Sequence, residues 1–235
     1  INFSVLFFGS TGKTSIAAAM LVKAQEQGLS TAAIKPLAAG CYETAEGLRN
    51  EDAVLLHRYC SVPLTYEQVN PVVLKEAIAP HIAAARVERN ITLSEISSNY
   101  QQVLAFNADI NLTEGAGGWR LPLHVDTLKP VYLSDFAIQT KQAVILVVNM
   151  KLGCLNHALL TYQAIVTDGL NCIGWLANSA SEIEMSNLAE NITSLEQLLP
   201  IPKIGQLSFY RDPTMSLHDK INAAAQEIDL ALLLT

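Results

Sequence analysis

A glycine followed at once by lysine and a hydroxyl residue is a group set that can hold a phosphate and a divalent cation together. Gly12, Lys13, Thr14 and Ser15 stand between an apolar run, FSVLFF, and an Ala-rich amphipathic stretch. In that setting backbone amides and a helix N-terminus cradle phosphate, the lysine neutralises it, and the threonine oxygen binds magnesium. An isolated GxxGKT is more often a plain strand-to-helix turn, and its place between a strand and a helix reverses those odds. The usual loop has four residues between its glycines. Here only Ser10 and Thr11 separate Gly9 from Gly12, too few to encircle a β-phosphate.

Carboxylates suited to the same cation occur at Glu114, in DINLTEG, and at Asp52, in EGLRNEDA, where Glu51 competes with it. A buried strand ending at Glu114 would deliver it to the carboxyl edge of a sheet, where open α/β folds bind ligands. The plain alternatives are a solvated glutamate in a flexible glycine turn and, for Asp52, a residue that favours the positive end of a helix. Both roles of Asp52 are compatible. Glycines at 115, 117 and 118, with Ala116 between them, let backbone amides approach phosphate or a substrate oxygen closely. Lys35 precedes Pro36, which forces an extended exit and aims the lysine at the same edge; a surface lysine ending a strand is about as common. The segment KLGCLNHA follows the apolar run AVILVVN, so the amide end of its helix could accept a carboxylate, or Asn156 and His157 could simply cap it.

Positioning these groups requires alternating strands and helices, and the chain supplies them. FSVLFF, STAAIK, DINLTEG, AVILVVN, NCIGWLAN and IPKIGQL read as strands separated by helical segments, the rhythm of a parallel sheet covered on both faces. Continuous apolar runs such as AVILVVN suit strands buried on both sides. The first helix is expected to stop at Gly28. Between residues 60 and 108 the rhythm lapses around Pro63, Pro71 and Pro80, with helices expected near 80 to 87 and 92 to 106. The expectation is one α/β domain over residues 1–235, since this length suits a single continuous core.

The net charge of −7 disfavours nucleic acid and anionic membranes, and no apolar run reaches transmembrane length. Cysteines at 41, 60, 154 and 172 lack metal or disulfide spacing, and the apolar opening lacks a basic flank, so a cytoplasmic protein is expected. No Ser/His/Asp constellation is recognisable among His57, His81, His124 and His218.

KPLAAG at 35 to 40, EGLRNEDA at 46 to 53, EGAGGW at 114 to 119 and VVNMKLGCLNHALLT at 147 to 161 together resemble the dethiobiotin synthetase family over nearly the whole chain. The resemblance implies a P-loop NTPase-like fold and a ligase of biotin biosynthesis. Such an enzyme uses ATP and carbon dioxide to close a ureido ring on a diamino acid. It implies Mg2+ held by Thr14, Asp52 and Glu114, and catalytic lysines at Lys13 and Lys35, the latter also meeting the carbamate. Gly12, Lys13, Thr14, Ser15, Asp52, Glu114, Gly115, Ala116 and Gly117 would then hold ATP. Its base would lie against Asn178 and Ser179 in WLANS and against Ser208, Phe209 and Tyr210. Substrate contacts would come from Thr11, Lys35, Ala39 and Gly118, and across a homodimer interface from Leu152, Gly153, Cys154 and Asn156.

Three departures from the family pattern accompany this. Ala39 replaces a contacting serine, Ser208 stands where proline is common, and no acidic residue downstream of Tyr210 is an obvious base contact. The two-residue spacing between Gly9 and Gly12 is read as an omission from a longer encoded loop, since the family carries GTDTxVGKT. The rivals are a noncatalytic nucleotide-binding paralogue and a related P-loop synthetase acting on another acid.

Overall fold

The computed structural model of the protein describes residues 3–8, 12–125 and 129–233. In chain order they form β1 (Phe3–Phe8), α1 (Lys13–Glu26), β2 (Thr31–Ile34), β3 (Leu37–Ala39), β4 (Tyr42–Thr44), β5 (Gly47–Arg49), α2 (Glu51–Arg58), α3 (Tyr66–Val69) and β6 (Val72–Leu74). Next come α4 (Pro80–Arg86), α5 (Leu93–Leu104), β7 (Ile110–Glu114), β8 (Pro122–His124), β9 (Val131–Tyr132), α6 (Leu133–Thr140) and β10 (Ala143–Asn149). The last elements are α7 (Cys154–Thr167), β11 (Cys172–Asn178), α8 (Leu188–Leu198), β12 (Lys203–Leu207) and α9 (Leu217–Gln226).

The sheet at the centre has strand order β12-β11-β10-β1-β7-β2, and every neighbouring pair is parallel. β1 lies inside it, with β10 on one side and β7 on the other, so the chain changes winding direction beside β1. That reversal opens a crevice at the carboxyl ends of the strands. Register decides what stands there: Ile34 pairs with Thr113 and Phe7 with Glu114, which sets Lys35 and Glu114 next to each other level with the carboxyl end of β1.

Successive residues of a strand point to opposite faces. Ile145 and Val147 of β10 therefore enter one apolar cluster with α1 and α9, while Val144, Leu146 and Val148 enter a second with α7 and α8. Helices cover both faces. α1 comes close to the sheet because Ala17, Ala18, Ala19 and Ala24 are fully buried, and Gly28 ends its run in the left-handed region at φ +79. No helix among the described residues is long and apolar enough to cross a membrane.

The stretch between residues 60 and 108 is more ordered than its prolines suggest. β6 pairs in parallel with β3, and the short α3 begins with a full capping box from Thr65 and Gln68. The EGLRN motif itself lies on a hairpin of β4 and β5. Strands of three residues are too brief to leave a periodic signal in sequence.

At the β12 edge the chain folds back: Gly205 bridges Ile228, and Asp229 N–H donates to the Ile204 carbonyl at 2.8 Å. A Cβ on Gly205 would lie 2.6 Å from the Glu227 carbonyl oxygen and 2.7 Å from Leu176 Cδ2. The backbone oxygen cannot rotate away. Gly205→Ala is therefore expected to cost about 2–3 kcal/mol through overpacking, seen in calorimetry as a melting temperature lower by roughly 4–12 °C. An unchanged melting temperature would show that this edge yields freely.

Candidate active site

Glu114 is the hub at the carboxyl edge. It is 1% exposed, and its Oε1 accepts both the Thr14 hydroxyl at 2.9 Å and the Lys35 ammonium at 2.6 Å. Its Oε2 is sealed from solvent and has no hydrogen-bond partner among the described residues. Lys35 Nζ also pairs with Asp52 at 3.0 Å. Asp52 arrives from the first turn of α2, whose start is capped by Asn50 accepting from Ala53 N–H at 3.2 Å. Its helix-start position and its place in the cluster thus coexist.

Burial alone would push the Lys35 ammonium towards neutrality, but Glu114 and Asp52 outweigh it and raise its pKa above the ordinary lysine value. Burial would likewise raise the Asp52 carboxyl, and Lys35 with the Thr14 hydroxyl and Lys13 holds it below the usual range. Lys13 moves the other way. Burial, helped by the neighbouring Lys35, lowers its pKa despite the opposing carboxylates. The site thus favours a charged Lys35 ammonium held between the Glu114 and Asp52 side chains, and a charged Asp52 carboxylate beside it.

Among the described residues no group of three or more His, Cys, Asp or Glu side chains has metal-ligand geometry. A hard cation such as magnesium asks for less, since it keeps waters and shares phosphate oxygens. One hydroxyl and two carboxylates, with a buried carboxylate oxygen that no described residue satisfies, match that donor chemistry.

Thr11, read as a substrate contact, lies outside the described residues. Gly12 caps α1 at φ +74, and a Cβ there would sit 2.6 Å from Asn178 Nδ2. Glycine is therefore needed both for the backbone and for the close approach of Asn178. Gly12, Ser15, Asn178 and Ser179 line a cavity of about 250 Å³. Its far wall is Ser208, Phe209 and Tyr210, followed by one face of α9. Ser208 N–H donates to Glu227 Oε2 at 2.8 Å. Burial and the nearby Glu227 carboxylate push the Tyr210 phenol up to about 12. Glu227 is an acidic residue at this pocket that the sequence did not reveal, because it returns from the end of α9, 19 positions after Ser208.

A second cavity, about 410 Å³, lies between the Gly117 to Trp119 turn and the start of α7, with Gly118, Lys151 and Cys154 in its lining. Gly153 caps α7 at φ +90, with no side-chain cap hydrogen bond of its own. Leu152 is 93% exposed and borders a neighbouring depression with Ile183 and Met185. The Trp119 indole donates to Asp168 Oδ2 at 2.7 Å, which ties the glycine turn to the far end of α7. Gly115 and Ala116 line neither cavity; Ala116 packs on the first apolar cluster. The Ala39 carbonyl accepts from Asn50 Nδ2 at 3.5 Å.

The histidines stand apart from this cluster. His57 and His124 bond the carbonyls of Leu64 and Ile91, and His218 bonds Tyr59, while His81 Nδ1 is sealed without a partner among the described residues. The four cysteines are free.

Known proteins match this chain along most of its length. A family model described as AAA domain matches residues 9–214. A protein of Pseudomonas aeruginosa named ATP-dependent dethiobiotin synthetase BioD is 45% identical over 219 residues, covering 93% of this chain and 91% of its own length. One of the same name from Cellvibrio japonicus is 44% identical over 223 residues, covering 95% and 92%. Among solved structures, the septum site-determining protein MinD of Pyrococcus horikoshii with Mg-ADP gives a TM-score of 0.55 at 16% identity, covering 95% of this chain and 86% of its own. That likeness is one of fold, the P-loop NTPase-like α/β arrangement.

Proposed function

We propose, for a chain that belongs to the ATP-dependent dethiobiotin synthetase family, that the cluster around Glu114 is where ATP drives closure of the ureido ring of dethiobiotin. The observation that carries this is the meeting of Thr14 and Lys35 at the buried Glu114 carboxylate, with Asp52 on the same Lys35 ammonium. Thr14, Lys35, Asp52 and Glu114 come to this site from four separate segments of the chain.

The diamino acid is 7,8-diaminononanoate. One of its amines attacks carbon dioxide and loses a proton, giving a carbamate. A carbamate oxygen takes the γ-phosphoryl group of ATP, releasing ADP, and the neighbouring amine attacks the activated carbonyl, expelling phosphate as the ring closes. Every step builds or moves anionic charge, and fixed cations in a water-poor site stabilise such charge without reorganising. Lys35 and Lys13 supply it. Magnesium, held by Thr14, Asp52 and Glu114, would neutralise phosphate oxygens.

The base lies against Asn178, whose amide offers both donor and acceptor, and Ser179, with Ser208, Phe209 and Tyr210 closing the pocket. Gly12, Ser15 and the Gly115, Ala116, Gly117 backbone flank the phosphates; Thr11, Ala39 and Gly118 flank the diamine. The uncapped start of α7, at Gly153 and Cys154 with Asn156, takes the distal carboxylate. Leu152 at 93% exposure on that same turn supports a homodimer in which a second copy covers it. The whole chain works as one domain in the cytoplasm, and its encoded loop between Gly9 and Gly12 is longer than the two residues here.

The test incubates the purified chain with Mg-ATP, bicarbonate and the diamino acid and follows ADP and dethiobiotin by mass spectrometry. Equimolar ADP and dethiobiotin are expected. Nucleotide binding without product would indicate a noncatalytic paralogue, and ADP release driven only by another acid would indicate a different synthetase. Intact mass and sedimentation of the same sample report the loop and the dimer.

A further inference from the structure

The two cluster members that face each other at 3.0 Å, Lys35 and Asp52, come from elements with no strand pairing between them. A buried chain of hydrogen bonds joins their backbones. Asn50 N–H, at the cap of α2, donates to Tyr66 Oη at 2.7 Å, and Tyr66 O–H donates to Asn70 Oδ1 at 3.1 Å. Asn70 Nδ2 then donates to the Lys35 carbonyl at 2.7 Å. Lys35 N–H donates to the Val69 carbonyl at 2.7 Å, so both backbone groups of the lysine rest on the end of α3.

Asn70 is 2% exposed, and Tyr66 is buried beneath the Arg49 guanidinium, which lies 4.2 Å from its ring centroid. Each polar atom in the series has its partner, and the donors all run in one direction. Such a satisfied buried series is rigid, because breaking any link strands a group away from water.

We infer that Tyr66 and Asn70 are positioning residues for the reaction: their side chains set the spacing between Lys35 and the start of α2, and through it the placement of Asp52 against the phosphate and cation site. Neither side chain lines the two cavities flanking that site. They act through Lys35 and Asp52, so the inference rests on the roles given to those residues above. Loss of the phenol hydroxyl leaves the Asn50 amide and Asn70 Oδ1 without their partner. α2 is then free to drift by fractions of an ångström, enough to misplace reacting groups substantially.

The test compares Tyr66→Phe with the wild type and with Ser30→Ala, which removes a 2.6 Å hydrogen bond to Asp109 just before β2, at the opposite end of that strand from Lys35. Tyr66→Phe is expected to lower kcat about tenfold or more, and to weaken Mn2+ binding in the presence of ADP about three- to tenfold by electron paramagnetic resonance. Ser30→Ala should leave both within about twofold at a comparable loss of Tm. Asn70→Ser is the second variant and should shift both readouts in the same direction. If Tyr66→Phe keeps wild-type kcat and Mn2+ affinity, or if Ser30→Ala matches its losses, the positioning role is overturned. A wild-type protein that makes no dethiobiotin would instead sink the functional reading, and the Mn2+ titration would still report on the spacing.

Discussion

Lys35→Met is expected to reduce dethiobiotin formation by on the order of 10³-fold, roughly 4 kcal/mol of transition-state stabilisation, while tightening nucleotide-free Mn2+ binding by about tenfold. Methionine keeps much of the length and apolar stem but carries no charge. The ammonium it replaces is 2.6 Å from Glu114 and 3.0 Å from Asp52, so without it the two side chains lose the cation that bridges them. A divalent ion then enters without having to compete with a tethered one. Turnover falls because the charge that should meet the carbamate and the γ-phosphate is gone. Steady-state assays and a Mn2+ titration check the two halves separately, and weaker Mn2+ binding would mean that Lys35 does not share the cation's ligands.

Glu114→Gln is expected to move metal affinity the opposite way, down by about a hundredfold, with turnover again lower by on the order of 10³-fold. The amide keeps the volume and one acceptor but removes the negative charge that Thr14 and Lys35 converge on. It also leaves a buried ammonium with a half-exposed Asp52 as its remaining ion-pair partner. Removing one member of a buried pair costs about 3 kcal/mol at the low end, so the melting temperature should fall by roughly 6–12 °C. Bound nucleotide would not restore activity. If the variant binds Mn2+ as tightly as the wild type, Glu114 is a structural partner of Lys35 and no metal ligand.

The central sheet was legible in the sequence because strands buried on both faces leave unbroken apolar runs, as in AVILVVN and NCIGWLAN. The small ribbons were not. β3 and β6 are three residues each, and their pairing depends on how α3 is seated, which no local pattern states. At the site, the convergence of Thr14, Lys35, Asp52 and Glu114 followed from each residue's place at the carboxyl end of a strand or the start of a helix, joined by the family motifs. What escaped were groups brought in by tertiary folding: Glu227 against the Ser208 backbone, Asp168 beneath Trp119, and the Tyr66 and Asn70 side chains behind Lys35. Each lies far from its partner in sequence or on a short irregular element, so spacing gives no hint of the contact.

The returning segment at Ile228 and Asp229 bears on how copies of this protein behave when crowded. A bare outer strand presents a ladder of amides and carbonyls that a second molecule can extend, the first step towards fibrillar association. Here carbonyl and amide groups of β12 at Ile204 and Gly205 are already engaged by the same chain. Loss of that flap would uncover a sticky margin on an otherwise well-covered sheet, so truncation near residue 227 should reveal itself as turbidity before it reveals itself as lost catalysis.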